Sequence, residues 1–275
     1  MVTNFKKCFL LIIIFGFFTF NTCENDLLGI FGSNDFVKRW EVRNSFKFLS
    51  NDDLNMDFGD TYSFIVIADT HISDKNDLRL PKLKDVIDAD DIKFIVFCGD
   101  VTQKGTKSEV KKFMDAAAFL EVPCYPVAGN HDVYFGNWPV WEKEIGSTIY
   151  RVNGGDTTLF ILDSATGFFG SKQLDWLENE LKSAEKNVFA FTHYNFFVKG
   201  TGDIQQLTDV RERARITSIL KDKCDIMFMG HLHKEIYNKL GGVEYLAIED
   251  YRDKAAYCLV EVTPDGVKWK TKYLK

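Results

Sequence analysis

From Tyr62 onward the chain alternates short apolar runs with segments whose apolar residues recur at helical spacing. Phe64-Ile65-Val66-Ile67, Phe94-Ile95-Val96-Phe97, Tyr125-Pro126-Val127, Thr158 to Leu162, Val188 to Phe191 and Ile226 to Met229 read as strands, being short and mostly rich in β-branched and aromatic residues. Between them, Leu80, Leu83, Val86 and Ile87 share one helix face. So do Val110, Phe113, Met114 and Ala117 after Ser108, a predicted N-cap, and Leu174, Leu177 and Leu181 after Ser171. Tyr245 to Ile248, Tyr257 to Val262 and Val267 to Tyr273 are further strands, and the turn Pro264-Asp265-Gly266 joins the last two as a hairpin. Strands alternating with helices predict an α/β sheet, to which the tail adds antiparallel strands. Residues 23–60 are polar with scattered aromatics such as Phe36, Trp40 and Phe46, and are expected to form a tether and irregular lead-in to a domain over 61–275.

The strands share a habit: apolar run, then a polar motif, then a loop. The motifs are Asp69-Thr70-His71, Gly99-Asp100, Gly129-Asn130-His131-Asp132, Thr192-His193 and Gly230-His231-Leu232-His233, and they contain all five histidines of the chain. In open α/β sheets, sites form outside the carboxyl ends of strands, so five separated pieces of sequence can meet on one rim. Asp69, His71, Asp100, Asn130, His193, His231 and His233 offer nitrogen and oxygen donors and no sulfur. Such a set suits two borderline or hard divalent ions better than a tetrahedral structural zinc. Each residue also has a plainer reading: Asp69 or Asp100 alone can cap a loop, Asn130 can be a turn residue, and His193 can be a satisfied core histidine. Trp138, Trp141, Tyr134 and Phe135 can wall a cleft or simply pack a loop; Thr102, Tyr194 and Asn195 fall near the rim. Asp163 reads as structural.

Composition adds limits. A hydrophobic content of 45% with 27% charged residues is that of a globular chain with a real core. The net charge of −6 argues against a long nucleic-acid partner, which needs a basic track. It leaves small phosphorylated substrates open, because local metal charge can dominate a site. Lys6 and Lys7 followed by the apolar run Cys8–Phe20 match a signal peptide over residues 1–22, and the run is too short for a comfortable membrane span. Asn21-Thr22-Cys23 then resembles, imperfectly, a lipoprotein signal with Cys23 as the lipidated residue. The expected location is therefore outside the cytoplasm, periplasmic or anchored to a membrane as a lipoprotein through Cys23. Cys98, Cys124, Cys224 and Cys258 form no close pair, so neither a CxxC redox site nor a thiolate zinc cluster is indicated; they are expected to be buried, unpaired thiols.

Asp-x-His, Gly-Asp, Gly-Asn-His-Asp, a later His and Gly-His-x-His, in this order over residues 62 to 235, resemble the calcineurin-like metallophosphoesterases. The resemblance implies a four-layer αββα sandwich of two facing mixed sheets with helices outside. It implies two divalent metal ions, Mn, Fe or Zn first and Mg also allowed. Asp69, His71, Asp100 and His233 would hold one; Asp100, as a bridge, with Asn130, His193 and His231 would hold the other. A metal-bridging hydroxide would attack the phosphoester. His131 would face the substrate and protonate the leaving oxygen, with Asp132 orienting its imidazole. The expected activity is hydrolysis of a small phosphodiester. Phosphomonoesterase action, or a non-catalytic interaction scaffold of the same fold, is the alternative.

Overall fold

The computed structural model describes residues 36–75, 79–134, 136–197 and 206–274. The expected leader over residues 1–22, Cys23 and Phe135 lie outside the described residues. No helix among the described residues is long and apolar enough to cross a membrane.

Two mixed sheets face each other. In the first, strands β1 (Tyr62–Ile67), β2 (Ile92–Cys98) and β3 (Cys124–Val127) run parallel. In the second, β4 (Tyr150–Asn153) pairs antiparallel with β5 (Thr157–Ile161), which begins a parallel set with β6 (Asn187–Phe191), β7 (Ile226–Met229) and β9 (Val243–Ala247); β8 (Ile236–Leu240) closes that edge antiparallel. The tail returns to the first sheet as β10 (Ala256–Thr263) and β11 (Gly266–Tyr273), giving the order β11-β10-β1-β2-β3. The Pro264-Asp265 turn joins these two, with Thr263 opposite Gly266.

The continuous apolar runs are explained by burial on both faces. In β1, Phe64 and Val66 point into the core between the sheets, with Phe94, Val96, Phe189, Phe191 and Phe228. Ile65 and Ile67 point the other way, under helices α3 (Leu83–Asp90) and α4 (Lys107–Leu120), where they meet Leu83, Ile87, Val110 and Phe113. On the second sheet Phe160, Ala190 and Met227 lie under α7 (Ser171–Glu180) and α8 (Val210–Leu220) through Leu174, Leu177, Ile216 and Ile219. The expected four-layer sandwich is therefore the observed fold.

Some local expectations need correction. Helix α4 is capped by Thr106: its hydroxyl accepts from Glu109 N at 3.3 Å while the Glu109 carboxylate accepts from Thr106 N at 3.1 Å. Ser108, inside the helix, donates to Asp74 at 2.7 Å. The lead-in is packed where it is described, from residue 36 on. Helix α1 (Phe36–Glu41) buries Arg39, which donates to Asp163 at 2.6 Å. Leu54 of α2 (Asn51–Leu54), together with Phe58, enters the core between the sheets. The sequence concealed this because the anchoring residues, with Val42, Phe46, Phe48 and Leu49 also packed on the cores, follow no helical or strand period. Of the two readings open for Trp138 and Trp141, in α6 (Trp138–Glu144), packing is the one observed: both are buried core residues. Cys98, Cys124, Cys224 and Cys258 are free and buried, as expected.

Candidate metal centre

Parallel strands present their carboxyl ends on one side, so each apolar run delivers its motif to the same rim. Asp69 follows β1 and Asp100 follows β2; α5 (Asn130–Val133) follows β3; His193 follows β6 and His231 follows β7. The loops are locked to one another. Asp69 N donates to the Gly99 carbonyl at 3.1 Å, His71 N to that of Asp100 at 2.9 Å, and Gly230 N to that of His193 at 2.9 Å. At the rim, hydrogen bonds also cross between the sheets: His231 N donates to Asp69 Oδ2 at 3.0 Å, and His193 Nδ1 to the Cys98 carbonyl at 3.0 Å. The latter fixes the tautomer and leaves Nε2 facing inward. A methyl group at Gly99, whose φ is 84°, would strike the His193 ring, so glycine is required for this approach.

The expected site residues all converge. One group joins Asp69, His71 and His233, with His233 Nε2 at 3.4 Å from Asp69 Oδ1 and 3.4 Å from His71 Nε2. The other joins Asp100, His193 and His231, with His231 Nδ1 at 3.2 Å from His193 Nε2. Asn130 Oδ1 completes it, 3.0 Å from His193 Nε2. Asp100 serves both: its Oδ1 accepts from His131 N at 2.9 Å, and its Oδ2 lies 3.7 Å from His71 Nε2 and 3.3 Å from His193 Nε2. The donors are carboxylate, amide oxygen and imidazole, brought to mutual contact with no Lys or Arg among them. That chemistry fits a pair of divalent cations.

The electrostatics agree. Burial pushes His71 down to about 4 and His231 down to about 3, keeping both in the neutral form that ligates metal. Burial also opposes the charge of His193, but Asp100 and Asp69 outweigh it and lift the ring to about 9. Burial would raise Asp100 as well, yet the surrounding histidines hold it well below the usual carboxylate range. A cation in this nest would replace the proton that the carboxylates otherwise draw to His193.

His131 stands beside the groups, its ring 4.7 Å from that of His71. Its Nδ1 lies 2.8 Å from the Gln103 carbonyl, so that carbonyl, rather than Asp132, orients the imidazole. The Asp132 carboxylate is instead consumed by the loop, accepting from Gly129 N at 2.9 Å, Val101 N at 3.1 Å, and Thr102 N and Oγ1 at 2.8 and 2.7 Å. The role expected for Asp132 is thus corrected: it ties the loop after β2 to the loop after β3. Thr102 is fully buried on this carboxylate. Tyr194 stacks on His231 at 4.1 Å, and Asn195 Oδ1 accepts from Phe197 N at 2.7 Å. Sequence reasoning missed Gln103, because a backbone carbonyl does the holding and any residue type supplies one.

Comparison with known proteins follows the same lines. The profile of the calcineurin-like phosphoesterase family matches residues 62–235. A protein of Arcobacter nitrofigilis named "Probable glycerophosphodiester phosphodiesterase" is 27% identical over 205 residues, 64% of this chain and 74% of that one. A "Probable cyclic nucleotide phosphodiesterase" of Fibrobacter succinogenes is 26% identical over 188 residues, 62% of this chain and 72% of that one. Among solved structures, a dimetal phosphatase from Danio rerio superposes with a TM-score of 0.61 at 15% identity, covering 78% of this chain and 96% of that one, which speaks for the fold. With the donor groups on the rim of this sandwich, the match assigns the chain to the calcineurin-like phosphoesterases, a dinuclear-metal-dependent family, and makes it a hydrolase acting on ester bonds.

Proposed function

We propose that this protein is a two-metal phosphodiesterase for a small diester. The observation that carries the reading is Asp100 Oδ2, one oxygen facing His71 at 3.7 Å and His193 at 3.3 Å, so that the two donor groups share a ligand. Asp69, His71, Asp100 and His233 would hold one ion, and Asp100, Asn130, His193 and His231 the other. Bound there, two divalent ions would acidify water and offset charge on the phosphoryl oxygens. The preference for a diester is supported by the glycerophosphodiester and cyclic-nucleotide names of the relatives.

The chain's own contribution centres on His131. Its Nδ1–H is directed to the Gln103 carbonyl, which accepts in either charge state of the ring, so the proton it gives up lies on Nε2. His131 delivers that proton to the departing alkoxide. Asp132 acts through the loop, holding Gly129 and Thr102 so that Asn130 and His131 keep their positions.

The test is a panel on protein stripped with chelator and refilled with Mn, Fe, Zn or Mg, comparing bis-p-nitrophenyl phosphate with p-nitrophenyl phosphate, cyclic nucleotides and glycerophosphodiesters. Faster diester hydrolysis at full metal content is expected; no hydrolysis of any phosphoester at full metal content overturns the reading. His131→Ala should lower kcat by about 10²–10⁴-fold on alkoxide leaving groups and by much less on p-nitrophenolate, which departs without a proton, with metal content unchanged. Equal losses on both would make His131 a phosphate-positioning group, and loss of metal would make it a ligand.

A further inference from the structure

The donors open to solvent on the side of His233, whose side chain is 32% exposed against 3% for His71 and none for His193. What stands on that side is set by the turn after β9. Asp250 bridges to Ala68, Tyr251 N donates to the Ala68 carbonyl at 2.9 Å, and Arg252 N to the Asp69 carbonyl at 3.2 Å. The short helix α9 (Tyr251–Lys254) therefore starts against the segment that carries Asp69. It brings the Asp250 and Asp253 carboxylates within 4.8 Å of a His233 ring nitrogen.

Arg252 holds the second of these as a fork: Nε donates to Asp253 Oδ1 at 3.2 Å and Nη2 to Oδ2 at 3.1 Å. The guanidinium is close enough to act electrostatically on both Asp69 and His233. Arg79 reaches the same turn, its Nη1 donating to the Asp253 carbonyl at 3.4 Å. An arginine beside a carboxylate-rich centre could serve only to balance charge. Its placement says more. Asp253 is 63% exposed and adjacent in sequence, so the pair is solvated and worth little, and it is easily exchanged for a better anion. A guanidinium fork matches phosphate and carboxylate oxygens in two-point geometry.

We infer that Arg252, parked on Asp253 beside His233, binds a second anionic group on the substrate, so that the preferred substrate is a phosphodiester carrying a carboxylate or phosphate on one of its alcohols. The inference rests on the phosphodiesterase reading above. The scissile phosphoryl would lie among the metal donors; the second anion lies outward of His233 and displaces Asp253 from the guanidinium. Asp253 thus competes with the substrate, and Arg252 is a specificity-determining residue.

The test uses metal-loaded full-length protein and three p-nitrophenyl phosphodiesters whose other alcohol is propanol, 3-hydroxypropanoate or ethylene glycol monophosphate. Wild type should favour the two charged esters over the propyl ester in kcat/KM by about tenfold, a difference of one well-placed charge-assisted contact. Whichever charged ester shows the larger ratio identifies the anion as carboxylate or phosphate. Arg252→Ala should abolish the ratio through KM, Arg252→Lys should retain part of it, and Asp253→Asn should increase it. A merely structural role for Arg252 would lower all three rates together and leave the ratio unchanged. A wild-type ratio near one, or a ratio that survives in Arg252→Ala, overturns the inference while leaving the phosphodiesterase reading intact. Inactivity of the loaded wild type on all three esters overturns both.

Discussion

Single backbone angles matter at the rim. Among the described residues nine non-glycine positions have positive φ, and five of them are Asp69, His71, Asp100, His231 and His233, at 55°, 43°, 47°, 74° and 53°. The left-handed region costs an ordinary side chain roughly 1 kcal/mol or more, so strain is concentrated where the donors are aimed. The surrounding bonds that over-determine these angles, such as His71 N to the Asp100 carbonyl, also make the donor positions interdependent. Asp100 should show this most clearly. Asp100→Ala removes the oxygen common to both groups and should lose both metals, whereas His233→Ala, at the edge of one group, should mainly weaken one. Elemental analysis of carefully loaded protein checks this; one metal or none in wild type would sink the two-metal reading itself.

At the scale of elements, the strands β1, β2, β3, β6 and β7 each do two jobs: their alternating faces pack into two cores and their carboxyl ends deliver a motif. Helix α4 supports that arrangement by laying Val110 and Phe113 on the outer face of the first sheet. Its start is held by the reciprocal Thr106 and Glu109 bonds. Thr106→Ala should cost about 1 kcal/mol in a urea melt and leave metal content unchanged, because the cap acts on the helix end and not on the donors. Ser108→Ala should cost less, since Ser108 sits within the helix and bonds an exposed carboxylate. That Thr106 rather than Ser108 is the cap was legible in principle: Thr106-x-x-Glu109 has the spacing of a capping box, while the apolar pattern alone leaves the boundary uncertain by a residue or two.

For the whole molecule, a buried ion pair ties the lead-in to the loop that follows β5 of the second sheet. Arg39 Nε reaches Asp163 Oδ2 at 2.6 Å with side chains 1% and 0% exposed, and Thr148 Oγ1 and Ala165 N also donate to that carboxylate. Arg39→Ala would leave a buried carboxylate without its cation and should destabilise the protein by about 3–5 kcal/mol, read as a lower denaturation midpoint at normal metal content. Unchanged stability would mean that this ion pair contributes nothing net to the fold. Beyond the described residues, we propose that the Lys6-Lys7 and Cys8–Phe20 pattern directs export with lipidation of Cys23. Intact-mass analysis of native protein should show loss of about 22 residues and an acylglyceryl group on Cys23. A cytosolic protein starting at Met1 refutes export, and a bare Cys23 refutes lipidation alone.

What the sequence determined by itself was periodicity and order. Runs such as Phe64–Ile67 and Phe94–Phe97 announce doubly buried strands because both faces need apolar side chains, and the motif after each run is legible because it breaks that pattern with Asp, Asn, Gly or His. Even the family could be recognised there, since five motifs in one order form a sparse pattern. The weak points were those where long-range geometry supplies the partner. Nothing near Arg39 in the chain points to Asp163, 124 positions away. Asp132 adjoins His131 in sequence, yet it turns to Val101 and Thr102 because a buried carboxylate goes where several N–H and O–H donors converge. His131 is left to a main-chain carbonyl that carries no side-chain signature. Likewise, only the return of the chain after β9 brings Arg252 beside Asp69 and His233. Periodicity is a local property of the chain; partnership among buried polar groups is decided by which donors and acceptors the fold brings within about 3 Å of one another.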